Sequence, residues 1–269
     1  MPDFVCVLRE PEFSPGKAED DAAILLGVAG LLRREQYAVD VLDPRTRRWP
    51  DLARRTVVLS MAQGEKALAQ LQDWERRGVR VINSVAAVRN CHRVRTVTLW
   101  QQAGCSFPQT AIVPTRVATL PQWLADARGV WVKRGDVHAM ASEDVQLVAG
   151  AHRVRQVLDR FHSRGIALAV LQRHVPGQTV KFYGVTDRFF FVAAQGDALS
   201  VAVERELTQI ARHGAAALGL EVFGGDCVVD ESGRCQLIDL NDWPSYAPCR
   251  QAAAEAIAAY ARTEKAKVA

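Results

Sequence analysis

Short apolar runs and helical stripes alternate along the first third of the chain. Phe4 to Leu8 is an unbroken apolar run, as in a strand buried on both faces. The breaker-rich stretch Arg9-Glu10-Pro11-Glu12-Phe13-Ser14-Pro15-Gly16 follows it. Asp20 and Asp21 then open a helix, where carboxylates suit the positive end of the dipole, and Ile24, Leu25, Val28, Leu31 and Leu32 share one of its faces. Further strands are expected at Ala38 to Leu42, Thr56 to Ser60 and Val79 to Ile82, with a helix from Glu65 to Arg77 before the last. Strands alternating with helices predict a parallel sheet with right-handed crossovers.

Beyond Asn83 the rhythm changes. A helix is expected from Arg93 to Ala103, with Gly104 as its C-cap. Strands at Thr110 to Val113, Val130 to Lys133 and Val145 to Val148, with helices at Leu120 to Ala127 and Val154 to Phe161, make a small α+β unit. Leu168 to Gln172 begins the last portion. There Val180 to Val185, Arg188 to Ala193, Cys227 to Val229 and Gln236 to Leu240 predict a mostly antiparallel sheet, flanked by helices Val203 to Leu218 and Gln251 to Thr263.

Composition narrows the class. The 269 residues are 49% hydrophobic and 24% charged, which describes an ordinary soluble globular protein. A net charge of +4, from 34 basic and 30 acidic residues, gives no reason to expect nucleic acid or a membrane as partner. Six cysteines without a CxxC pair argue against a zinc site or disulfide framework. Met1-Pro2-Asp3-Phe4 has no signal-peptide pattern, and no stretch approaches the roughly 20 apolar residues of a spanning helix. A cytoplasmic location is the resulting expectation.

The candidate chemistry gathers late in the chain. Asp239-Leu240-Asn241 puts two oxygen-bearing side chains on one face of a strand, and Asp226 precedes them in Phe223-Gly224-Gly225-Asp226, at the expected start of the neighbouring strand. A hairpin would bring the three together as a hard-oxygen site suited to magnesium. A plain strand-end turn accounts for the same residues. Lys133 ends an apolar strand and Lys181 lies within another, so each must reach water or pair with an anion. With Arg93, three cations precede an acidic cluster, the charge distribution that phosphoryl transfer requires.

This order of motifs resembles the ATP-grasp superfamily, from Ile82 to Tyr246. INSVAAVRNCHRVRTVTLWQQAGCSFPQT, residues 82–110, resembles the segment that opens the family's lid, with Arg93 (or Arg95) as the first nucleotide-binding cation. VWVKRGD resembles the strand whose lysine, here Lys133, contacts phosphate oxygens, and LQRHVPGQTVK resembles the hinge. The resemblance implies that the backbone around Gln172, Arg173 and His174 meets the adenine edge and that Lys181 reaches the phosphates. FGGDCVVDESGRCQLIDLNDWP is similar to the metal-binding hairpin, which implies Asp226, Asp239 and Asn241 as magnesium ligands. Two departures stand out: Arg134-Gly135-Asp136-Val137-His138-Ala139-Met140 carries one glycine where many members have a glycine-rich loop, and Arg173 stands where a carboxylate is usual. With no carboxylate at that place, Thr179 is the candidate for contacting the ribose.

The implied fold is α/β of ATP-grasp type. It has an N-terminal α/β domain on the substrate side over 1–90, a central lid over 91–171, and a C-terminal subdomain with the metal site over 172–269. The implied activity is Mg-ATP-dependent ligation of a carboxylate to an amine, with Lys181 and Arg93 stabilising charge and a small molecule or short peptide as acceptor. His138, His174 and the run Asp239 to Tyr246 also resemble inositol polyphosphate kinases of the same fold, so a small-molecule kinase is the alternative. A nucleotide-binding regulator is a third. Arg9, Glu10, Ser14 and Lys17, at the C-terminal end of the first strand, are expected to face the acceptor. Ser60 to Gln63, His138, Ser245 and Tyr246 are further acceptor candidates.

Overall fold

A computed structural model describes residues 1–14, 16, 18–136, 142–194 and 198–269. Its described strands form three four-stranded sheets. In the first, β1 (Phe4–Val7) lies between β2 (Val39–Leu42) and β3 (Val57–Ser60), with β4 (Arg80–Ile82) beyond, all parallel. The unbroken apolar runs follow from burial on both faces. Phe4, Cys6, Val57 and Leu59 meet Ile24, Leu25 and Val28 of α1 (Ala18–Arg34). Val5, Val7, Val58 and Val81 meet Leu68, Leu71 and Trp74 of α2 (Glu65–Arg76). Successive residues thus point to opposite cores, and each fully buried aliphatic side chain contributes about 1.5–3 kcal/mol.

Two helices lead away from this sheet. α3 (Val85–Asn90) begins at Ser84, whose side chain accepts a hydrogen bond from the Ala87 amide. α4 (Arg93–Ala103) ends where Gly104 turns left-handed at φ 67°, as its sequence predicts.

The second sheet is antiparallel in the order β5 (Thr110–Pro114), β8 (Leu168–Arg173), β6 (Val130–Arg134), β7 (Val145–Val148). α5 (Gly150–Ser163) covers one face, packing Val154, Val157, Leu158 and Phe161 on Val130, Val132 and Leu171. The third sheet, also antiparallel, runs β10 (Phe189–Ala194), β9 (Gln178–Val185), β11 (Val222–Val229), β12 (Cys235–Asp242). α6 (Val201–Leu218) packs Leu207, Ala211 and Ala215 against Leu237 and Trp100.

α7 (Arg250–Val268) returns to the first sheet, where Ile257 and Ala261 join one core with Phe4, Ile24, Trp243 and Tyr246. The first and third sheets therefore share buried surface. Asn83, just after β4, pins them together. Its Nδ2 donates to Val222 O at 2.7 Å, and its Oδ1 accepts from the Glu221 and Val222 amides at 2.8 and 2.9 Å. Arg80 adds ion pairs to Glu221 and Glu264.

Two local expectations need correction, and one element goes beyond them. The helix expected at Leu120 to Ala127 is a single turn, Gln122–Leu124, because Pro121, itself extended, disfavours a helical Leu120 and so blocks an earlier start. α3 was not legible as a helix. β11 begins at Val222, so Asp226 lies inside a strand rather than at its start. Among the described residues, no helix is long and apolar enough to cross a membrane.

Candidate functional site

Strand register assembles the acidic group. Lys181 on β9 pairs with Asp226 on β11, and Asp226 pairs with Asp239 on β12. Asn241 follows Asp239 by two residues and so shares its face. Lys181 Nζ lies 2.8 Å from Asp226 Oδ1. Asn241 Nδ2 lies 3.4 Å from Asp239 Oδ2, and Asp239 Oδ1 accepts from the Leu240 amide at 3.0 Å. Burial presses the Lys181 ammonium toward deprotonation, but the hydrogen bond and charge of Asp226 outweigh it, leaving the pKa above that of an ordinary lysine.

Close backbone approach explains Gly224-Gly225 before Asp226. A Cβ on Gly225 would lie 2.3 Å from Asp239 O and 2.7 Å from the Phe182 ring. A larger residue there would push apart the two strands that carry the carboxylates.

The second sheet meets this row at β12. Lys133, 9% exposed, donates to Gln172 Oε1 at 2.8 Å and across to Ile238 O at 3.2 Å. Burial lowers its pKa to about 8; Arg93 pushes the same way, while Asp239 and Asp226 oppose. Arg93 donates to Arg134 O at 3.0 Å and, with Lys133, Gln172, Ile238 and Asp239, lines one small cavity between the sheets. Burial also lowers the Arg93 pKa, against the pull of Asp239 and Asp144. Arg95 points outward and is exposed.

Several candidates take other places. The Gln172 side chain holds Lys133, a contact separate from the backbone expected to meet adenine. The Arg173 amide donates to Gln109 O at 2.8 Å and the His174 amide to Gly129 O at 2.9 Å, so these two N–H groups are committed within the fold. The Arg173 guanidinium lies 5.7 Å from the Trp123 ring centre, and His174 Nδ1 accepts from Trp131 Nε1 at 3.2 Å. Thr179 is exposed on β9.

The acceptor candidates divide further. Tyr246 is fully buried and donates to backbone oxygen, 2.7 Å to Gly184 O and 3.1 Å to Phe223 O. It is core, not a contact for acceptor. Arg9 spends its guanidinium on Met61 O, Asp21, Asp242 O and Trp243 O. Buried Ser14 donates to Asp21 at 2.6 Å, and Glu10 accepts from the Gln63 and Gly64 amides at 3.0 and 3.1 Å. These loop residues stitch the N-terminal sheet to the end of β12. Ser60, Met61 and Ala62 are buried, and Ser245 is half-buried at the edge. His138 and Lys17 lie outside the described residues.

One residue escaped the sequence reading. Asp242 is buried; Oδ1 accepts from Gln63 Nε2 at 2.9 Å, and Oδ2 has no hydrogen-bond partner. Its place directly after Asp239-Leu240-Asn241 was the available signal.

The donor set suits magnesium. Among the described residues, no group of three or more His, Cys, Asp or Glu could hold a metal; the hairpin itself offers the Asp226 and Asp239 carboxylates and the Asn241 amide. A small hard cation that keeps waters and takes its remaining ligands from substrate phosphates matches that supply.

No model of a known protein family matches the chain, and no curated protein resembles it in sequence. Solved structures do resemble it. A D-alanine–D-alanine ligase from Bacillus anthracis, complexed with ATP, has a TM-score of 0.73 at 9% identity, with all of both chains covered. The chain has the ATP-grasp fold. A RimK domain ATP-grasp protein from Sphaerobacter thermophilus DSM 20745 gives 0.69 at 16% identity, over 96% of this chain and 99% of that one. The ATP-grasp ligase PsnB, complexed with minimal precursor, Mg and ADP, gives 0.67 at 15% identity, over 97% and 98%. Between the second and third sheets, Lys133 and Arg93 share a small cavity with Ile238 and Asp239, and Asp239 pairs in register with Asp226, which in turn meets Lys181.

Proposed function

We propose that this chain is a Mg-ATP-dependent carboxylate–amine ligase. A substrate carboxylate oxygen takes the γ-phosphoryl group of ATP as ADP leaves. An amine then attacks the acyl carbon, expelling phosphate and losing a proton. The observation that carries this reading is the meeting of Lys133 with the β12 backbone at Ile238, beside Asp239. A cation of the second sheet and Asp239 of the hairpin thereby line one cavity, which supports this reading.

The roles follow from charge and reach. Lys133 and Lys181 bind phosphate oxygens, and Arg93 with Lys181 stabilises the charge that spreads over the transferring group. Asp226, Asp239 and Asn241 hold magnesium, which when bound neutralises phosphate charge. The protein forms no covalent bond to substrate; it positions the reactants and excludes water. Two of the solved structures of similar fold described above are of proteins called ligases, which favours ligation over phosphorylation of a polyol.

The test is ADP release from Mg-ATP in the presence of carboxylates with amines, short peptides, or phosphorylated polyols. Stimulation by a carboxylate, with acyl hydroxamate forming when hydroxylamine replaces the amine, is expected. Stimulation by phosphorylated polyols alone would make the chain a small-molecule kinase. Nucleotide binding without release under any condition would make it a regulator.

A further inference from the structure

Gln172 lies in the stretch whose family resemblance points to adenine, yet its side chain turns to Lys133. We infer that Gln172, oriented by Thr110, is a positioning residue that aims the Lys133 ammonium at the phosphates of a bound nucleoside triphosphate. The inference rests on the proposed nucleotide site.

The polarity of the hydrogen-bond chain is fixed from its far end. The carbonyl oxygen of Pro108 can only accept, and Thr110 Oγ1 donates to it at 2.7 Å. With its proton so used, the Thr110 oxygen accepts from Gln172 Nε2 at 3.3 Å. That contact turns the amide oxygen toward Lys133, where Nζ donates to it at 2.8 Å. Ile238 O takes a second Lys133 proton at 3.2 Å. An ammonium has three donors, so fixing two sets the direction of the third. Lysine otherwise carries a flexible four-carbon stem whose freedom is lost on binding an anion. Holding the stem beforehand moves that entropy loss from binding to folding.

The choice of an amide also matters. Gln172 is 3% exposed and lies against a cation that burial already disfavours. A carboxylate in its place would neutralise Lys133 and compete with phosphate for it. A neutral acceptor orients the charge without consuming it.

The test is isothermal titration of Mg-AMPPNP and of adenosine into wild type, Gln172→Met, Gln172→Glu, Thr110→Val and Lys133→Met. Gln172→Met is expected to weaken AMPPNP binding roughly tenfold while changing adenosine affinity less than about twofold. Gln172→Glu is expected to weaken AMPPNP as well, and Thr110→Val to do so by about threefold. In the Lys133→Met background, Gln172→Met is expected to add less than about twofold, since its effect passes through the lysine. Equal losses for AMPPNP and adenosine would overturn the inference and return Gln172 to the adenine edge. Additive losses in the double variant would overturn it too. Thr110→Val touches only the far end of the chain, so the test survives a Gln172 variant that folds poorly. Absence of AMPPNP binding by wild type would overturn the nucleotide site itself, and this inference with it.

Discussion

Lys133 combines two opposed demands: burial disfavours its charge, while phosphate binding needs it. With a pKa lowered to about 8, the ammonium is charged below that pH and increasingly neutral above it. An anion binds the charged form, so Mg-AMPPNP affinity is expected to be flat below about pH 8 and to weaken above it. Calorimetry at pH 7 and pH 9 checks this, and proton uptake on binding is expected only at the higher pH. The sign for folding follows from the same shift. Between about 8 and the ordinary 10.5 the native state holds fewer protons than the unfolded chain, so this residue makes stability rise with pH across that window. Lys133→Ala removes a charge-assisted contact and is expected to weaken ATP binding by about 1.5–3 kcal/mol. At this scale the place of Lys133 near the end of its strand and the adjacency of Asp226, Asp239 and Asn241 were legible from residue type and spacing. Gln172, Arg9 and Tyr246 were not, because sequence shows that a polar group must find a partner but not which one.

At the scale of elements, β11 and β12 are read best through Gly225. Glycine weakens a strand, so Phe223-Gly224-Gly225 reads locally as a loop. The strand nevertheless runs from Val222, because β9 and β12 pair with it on both sides; Asp239 O and the Phe182 ring leave no space there for a Cβ on Gly225. Gly225→Ala is expected to cost about 1–3 kcal/mol of stability and to impair magnesium-dependent nucleotide binding together with it. Denaturant melts alongside nucleotide titrations check both. Elements with clean periodicity, such as α2, α4 and β6, fell close to their predicted bounds. α3 has only six residues, too few to show a helical stripe.

The whole molecule depends on how its sheets are joined, and that was the least legible level. The alternation of strand and helix predicted the parallel sheet, and the late apolar runs predicted an antiparallel one. Nothing in Asn83 announced that one side chain ties β4 to β11. Asn83→Ala leaves the Glu221 and Val222 amides and the Val222 carbonyl without that partner, and is expected to destabilise the fold by about 3 kcal/mol. A lowered urea midpoint with unchanged slope checks it. The first and third sheets share one buried core, and β11 and β12, which carry the acidic row, are strands of the third.

Titration of AMPPNP into wild type and Asp239→Ala, each with and without magnesium, tests the central claim most directly. Binding that requires magnesium in wild type and is lost in Asp239→Ala, with the melting temperature largely kept, is the predicted result. Equal affinity in the two proteins, or affinity indifferent to magnesium, would contradict a crevice in which Lys133 and the acidic row grip one nucleotide.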